Sequence, residues 1–230
     1  MIALRCKPIS RCVSALVVLV MVAFPPAYAA SDFYQQQNLV SDGSVPAANT
    51  DPNLVNGWGV AFNPFGFVWV ADNGTGVSTL YDGAGKPQSL VVQIPASQNA
   101  AGGGTPTGIV YSGSTDFVVT QSGASGPSRF IFATEDGVIA GWAPNVDMTH
   151  AIRVIDNSAS SGAVYKGLAL SGNGTANRLY AADFHNNRID VFDASFKPVT
   201  LSGGAFNDAS LPAGYAPFNV QTINGNIYVA

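Results

Sequence analysis

The sequence predicts an all-β fold assembled from repeated four-stranded units, and three observations predict it. The first is a stretch written twice. "VADNGTGVSTLYDGAGKP", Val70 to Pro87, and "AADFHNNRIDVFDASFKP", Ala181 to Pro198, share the spacing of their aspartates, lysine and proline, since Asp72 and Asp82 stand ten residues apart, as do Asp183 and Asp193. The second is a short apolar opening that recurs as "GWGVAF", "PTGIVY", "KGLAL" and, more loosely, "PFNVQT". Its marker positions Gly59, Gly108, Gly167 and Asn219 are separated by 49, 59 and 52 residues. The third is composition: 25 glycines, 10% charged residues and Glu135 as the only glutamate, with no segment of period 3.6. A period near fifty with four strands per unit is the pattern of a β-propeller, in which each blade buries its faces against its neighbours.

Taken in order, residues 1–29 read as a signal peptide. Arg5, Lys7 and Arg11 form a basic front, "VSALVVLVMVAF" is the apolar run, and Ala27-Tyr28-Ala29 is the cleavage site. That run is short of the roughly 20 residues a spanning helix needs, and no later run of that kind follows. The mature chain, residues 30–230, is therefore expected to be exported, periplasmic or extracellular, without a transmembrane segment. Cys6 and Cys12 leave with the leader, so a core rather than disulfides must hold the domain. Removal of the leader also leaves seven basic residues against fourteen acidic ones, a poor surface for nucleic acid or anionic lipid.

The blades are expected at residues 54–104, 105–160, 161–210 and 211–230, the last incomplete. In the first, "WGVAF", "FVWVA", "VSTLY" and "SLVVQI" are strands separated by "NPFG" and "DNGTG". In the second, "TGIVY", "DFVVTQ", "SRFIFA" and "GVIAGW" are the four strands, with "HAIRVID" extending the outer edge. The third offers "KGLAL", "NRLYAA", "RIDVF" and "KPVTL", and the fourth "PFNVQT" and "NGNIYVA". The fourth repeat stops at Ala230, one residue before its expected aspartate, and the expectation is of a truncated chain whose further blades close the ring.

The stretch "YAADFHNNRIDVFD", Tyr180 to Asp193, resembles the NHL repeat in its A-D strand end, its N-x-R-I turn and its V-F-D close; Val70-Ala71-Asp72 with Tyr81-Asp82 is a weaker copy. The resemblance implies a propeller of six blades. The span from Asn38 to Ala230 is also similar to a family of exported bacterial propeller proteins of uncharacterised function, some of which carry a C-terminal sorting signal.

The chemistry-bearing residues cluster in the repeated turns. Asp183, His185, Asn186 and Asn187 fall in one turn, with Asp72 and Asn73 as their counterparts, and these six are the candidate ligand-binding positions. The repeated carboxylates Asp72, Asp82, Asp183 and Asp193 would suit Ca²⁺, but aspartate at strand ends also sets turns through backbone hydrogen bonds, and that explanation is preferred; no resident cofactor is expected. His185 invites a zinc or general-base reading, yet the only other mature-chain histidine, His150, belongs to another repeat and no cysteine remains. Gly83-Ala84-Gly85-Lys86 lacks the upstream glycine of a phosphate loop and reads as a turn. Trp58, Trp69, Trp142, Phe62, Phe67, Phe130 and Phe132 would either pack between blades or, if exposed, offer a carbohydrate platform. The leading functional reading is a binding or interaction scaffold for a protein or carbohydrate ligand, held by loops at one mouth of the channel. The alternative is a metal-dependent hydrolase or lyase, lactonase-like, with its site in the channel.

Overall fold

A computed structural model describes residues 34–230 apart from Asn99 and Asn173, so the signal segment lies outside the described residues. β1 (Val40–Ser41) and β2 (Asn49–Thr50) pair in parallel, and the Asn49 carboxamide donates to Ala84 O at 3.0 Å, which ties them to an outer turn of the first blade. That blade is an antiparallel sheet of β3 (Gly57–Phe62), β4 (Val68–Asp72), β5 (Val77–Tyr81) and β6 (Val92–Gln93), paired in chain order. The strand expected over "SLVVQI" shrinks to β6, because the chain meets Tyr81 first through a single bridge at Pro87, whose ring lacks the N–H a ladder needs.

The second blade departs from expectation. After β7 (Pro106–Tyr111), the segment "DFVVTQ" does not enter the sheet: β8 (Val118–Gln121) and β9 (Ala124–Pro127) form a hairpin of their own. Ser122 and Gly123 both have positive φ, 51° and 84°, as a two-residue type I′ turn requires. The hairpin buries Phe117 and Val119 and leaves Val118 half exposed. Phe117 meets Phe196 edge-on at 5.2 Å, and its N–H donates to Ala194 O at 2.7 Å, so this hairpin clasps the third blade. The blade itself is completed by β10 (Phe130–Thr134), β11 (Val138–Trp142) and β12 (Ile152–Asp156). "HAIRVID" is thus the fourth strand rather than an extra edge. The hairpin strand β8 buries one side whereas the blade strands β10 and β11 bury both, but short apolar runs bounded by turns suit either, so the pattern of "DFVVTQ" does not exclude a blade strand.

The third blade contains β13 (Tyr165–Gly172), β14 (Asn177–Asp183) and β15 (Arg188–Asp193). Its expected fourth strand, "KPVTL", is reduced to a bridge between Phe192 and Pro198, the counterpart of Tyr81 and Pro87. β16 (Val220–Ile223) and β17 (Asn226–Val229) follow as a hairpin turned by Asn224 and Gly225. Among the described residues there is no helix. Gln37 to Ala230 form one compact segment, an all-β propeller fold.

Three apolar clusters fill the spaces between successive blades. Trp69 from the first blade stacks on Phe130 of the second with centroids 4.0 Å apart, and Trp142 covers them. Each such buried side chain contributes roughly 1.5–3 kcal/mol. These aromatics therefore pack between blades, whereas Phe62 and Phe67 are exposed. The recurring glycines have a steric origin. A Cβ on Gly59 would stand 2.4 Å from Thr107 O, and one on Gly108 would stand 2.6 Å from Leu168 N. Gly167 meets Asn219 in the same way, so the row of glycines lets neighbouring inner strands touch backbone to backbone.

Candidate functional site

The four inner strands β3, β7, β13 and β16 start at the same end, and the residues just before their marker positions are Trp58, Thr107, Lys166 and Phe218. The turns between second and third strands return to that end, because Gly57 pairs with Asp72, Pro106 with Thr134, and Tyr165 with Asp183. The first residue of each turn is Asn73, Glu135 or Phe184. Thr107 is buried and donates to Tyr165 O at 2.8 Å. The other six side chains meet.

Glu135 forms an ion pair with Lys166, and its second oxygen accepts from Asn73 Nδ2 at 2.9 Å. Asn73 Oδ1 accepts in turn from Asn56 Nδ2 at 3.0 Å. Lys166 Nζ lies 4.9 Å from the Trp58 ring centroid, with the rings of Phe218 and Phe184 at 5.9 and 6.0 Å. Trp58 stacks on Phe218 at 5.6 Å, and Phe184 meets Phe218 edge-on at 5.9 Å. Phe184 and Phe218 remain 42% and 47% exposed, which leaves apolar rings beside a paired charge at the rim. A cleft of about 540 Å³ runs from Trp58, Lys166 and Phe218 along the inner strands. Burial opposes the Glu135 charge, but hydrogen bonds from Lys166 and Asn73 outweigh it and hold its pKa below the ordinary value.

Of the six candidate ligand-binding positions, Asn73 alone belongs to this cluster, and of the aromatics named as a possible carbohydrate platform, Trp58 does. Asp183 is wholly buried; it accepts from Val164 N at 3.2 Å and from Asn186 Nδ2 at 2.7 Å, and Arg188 Nη2 stands 3.4 Å away. Asn186 also donates to Ser161 O at 3.1 Å, while Asn187 takes a φ of 53° to turn the chain. His185 is exposed on that turn. Asp72 is wholly buried, and its Oδ2 lies 2.7 Å from Thr79 Oγ1. Asp82 and Asp193 each cap a turn, accepting from Ala84 and Lys86 N–H in one case and from Ser195 and Lys197 N–H in the other. Trp58, Glu135, Lys166, Phe184 and Phe218 were not picked out as a set. The signal was the column before each marker position, Gly59, Gly108, Gly167 and Asn219, and the column after the last residue of each second strand, Asp72, Thr134 and Asp183.

The chain matches no protein-family model. Two proteins of Acanthamoeba polyphaga mimivirus, uncharacterized proteins R648 and L690, are 32% and 31% identical to it over 197 and 195 residues. Each alignment covers 83% of this chain but 47% and 50% of those proteins. The chain thus spans about half the length of the curated relatives it matches. Among solved structures it is similar to virginiamycin B lyase from Staphylococcus aureus, with a TM-score of 0.53 and 14% identity. That match covers 78% of this chain and 50% of the lyase chain, and a likeness at this identity shows the propeller fold alone.

Proposed function

We propose that this chain is the propeller of an exported binding protein whose ligand, a carbohydrate, docks on the mouth formed by Trp58, Asn73, Glu135, Lys166, Phe184 and Phe218. One observation carries the reading: side chains from four successive repeats converge there, joining aromatic rings to a continuous carboxylate, ammonium and carboxamide chain. A sugar ring offers C–H faces to aromatic surfaces and hydroxyls that both donate and accept, so it can use both halves of such a mouth. The NHL-type pattern and the half-length match to the relatives support a whole protein with six blades, in which the remaining repeats complete the rim.

The hydrolase or lyase reading has weaker support, because the inner strands present Gly59, Gly108, Gly167 and Asn219 to one another. Among the described residues no three His, Cys, Asp or Glu side chains gather as metal ligands. The test is saturation-transfer NMR with a panel of neutral oligosaccharides. We expect one class to be saturated by the protein and to lose about tenfold in affinity in Trp58→Ala, in line with a lost aromatic contact. If no saccharide is saturated, or Trp58→Ala leaves saturation intact, the carbohydrate reading falls.

A further inference from the structure

A second cleft, of about 720 Å³, opens between the first and second blades at the end of the strands opposite the mouth. Buried Trp69 and Trp142 stand at its base, Tyr111 lines it, and Phe65 and Phe67 belong to the loop that joins β3 to β4. Phe65 is 88% exposed, an uncovered phenyl ring at the edge of a concave, aromatic-walled site. The volume falls in the range of small-molecule pockets. The cleft also holds a charge. Arg129 lines it, half-buried, and Nη1 donates to Ser114 O at 3.2 Å, while no carboxylate stands within ion-pair distance of it among the described residues. A guanidinium has five donors in a planar fork that matches a carboxylate, and one acceptor satisfies only part of it.

We propose that this cleft binds a planar aromatic carboxylate, with its ring between the Phe65 and Phe67 loop and the Trp69, Trp142 and Tyr111 wall, and its carboxylate on Arg129. The two requirements are independent in the molecule. The ring is taken by five aromatic side chains, and the anion by Arg129, the one cation among the described residues that line the cleft. The site is separate from the mouth and does not depend on the carbohydrate reading.

The test is titration calorimetry of the full chain with 2-naphthoate and its uncharged counterpart 2-naphthamide. Naphthoate should bind, and naphthamide should bind at least tenfold more weakly, as loss of a charge-assisted pair implies. Arg129→Gln should lower naphthoate affinity about tenfold and abolish the preference over the amide. Phe65→Ala, on an exposed loop where folding is not at risk, should weaken both compounds severalfold, and Lys166→Gln at the far mouth should change neither. Absence of naphthoate binding at millimolar concentration, equal affinity for the two compounds, an Arg129→Gln protein that keeps the preference, a Phe65→Ala protein that binds unchanged, or a Lys166→Gln protein that loses binding would each overturn the proposal.

Discussion

Asp72 and Asp183 end the second strand of their blades at matching positions and both are wholly buried, yet the two carboxyls sit in opposite electrostatic settings. Five residues after Asp183 comes Arg188, paired with it across the hairpin, and the guanidinium supports the buried charge. Five residues after Asp72 comes Val77, in the same register, and no cation is supplied. Asp72 Oδ1 is buried with no hydrogen-bond partner among the described residues. Burial pushes its pKa up to about 7; the Thr79 hydrogen bond opposes the shift and the charge of Asp51 adds to it.

The neighbouring hydroxyls fit a neutral Asp72. Thr79 Oγ1 lies 2.7 Å from Asp72 Oδ2 and 2.8 Å from Tyr81 Oη, and Tyr81 donates to Asp51 Oδ2 at 2.9 Å. A threonine hydroxyl has one proton and cannot donate to both neighbours. With the proton on Asp72, each hydroxyl donates once along the line from Asp72 through Thr79 and Tyr81 to Asp51. Burial pushes the Tyr81 pKa up as well, so its proton stays in place. One repeated letter therefore serves two blades in two electrostatic settings, and what separates them is the side chain opposite, Val77 in one case and Arg188 in the other.

The sharpest way to break this comparison is Asp72→Asn, which mimics the neutral acid. Because the folded pKa is raised from 3.8 to about 7, the unfolded chain ionises first. Stability attributable to Asp72 is thus intact below pH 4, declines as pH rises to about 7, and stays low above it. Denaturant unfolding should find Asp72→Asn and the parent equally stable near pH 4. At pH 8 the variant should be more stable, by up to about 4 kcal/mol at 1.36 kcal/mol per unit. A difference that does not change with pH would defeat the assignment. The mirror substitution, Asp183→Asn, should act with the opposite sign, costing about 2 kcal/mol at pH 8 because the buried pairing with Arg188 is lost, although Arg188 keeps Asp190 at 2.7 Å. The smallest effect is expected at His185→Ala on the exposed turn, within about 0.5 kcal/mol and without change in saccharide binding at the mouth. Loss of binding there would move the functional site from Phe184 to its neighbour.

The sequence by itself determined the repeat and the strand type. Glycine at Gly59, Gly108 and Gly167 answers to a next-strand demand that recurs at each blade, and aspartate at Asp72 and Asp183 to one shared by the first and third, so they repeat visibly in one dimension. Only the tertiary structure decided which second-blade segment is a blade strand and which an inserted hairpin, since "DFVVTQ" is a short apolar run bounded by turns and only packing sets whether one side or both are covered. It also decided the mouth. Trp58, Glu135, Lys166 and Phe184 differ in type and are drawn from three repeats, and no repeat pattern marks residues that face one another across blades. The protonation regime of Asp72 was legible only in part: Val77 stands in the sequence where Arg188 has its counterpart, but the free-energy penalty on a charge depends on burial, and burial is set by packing between blades.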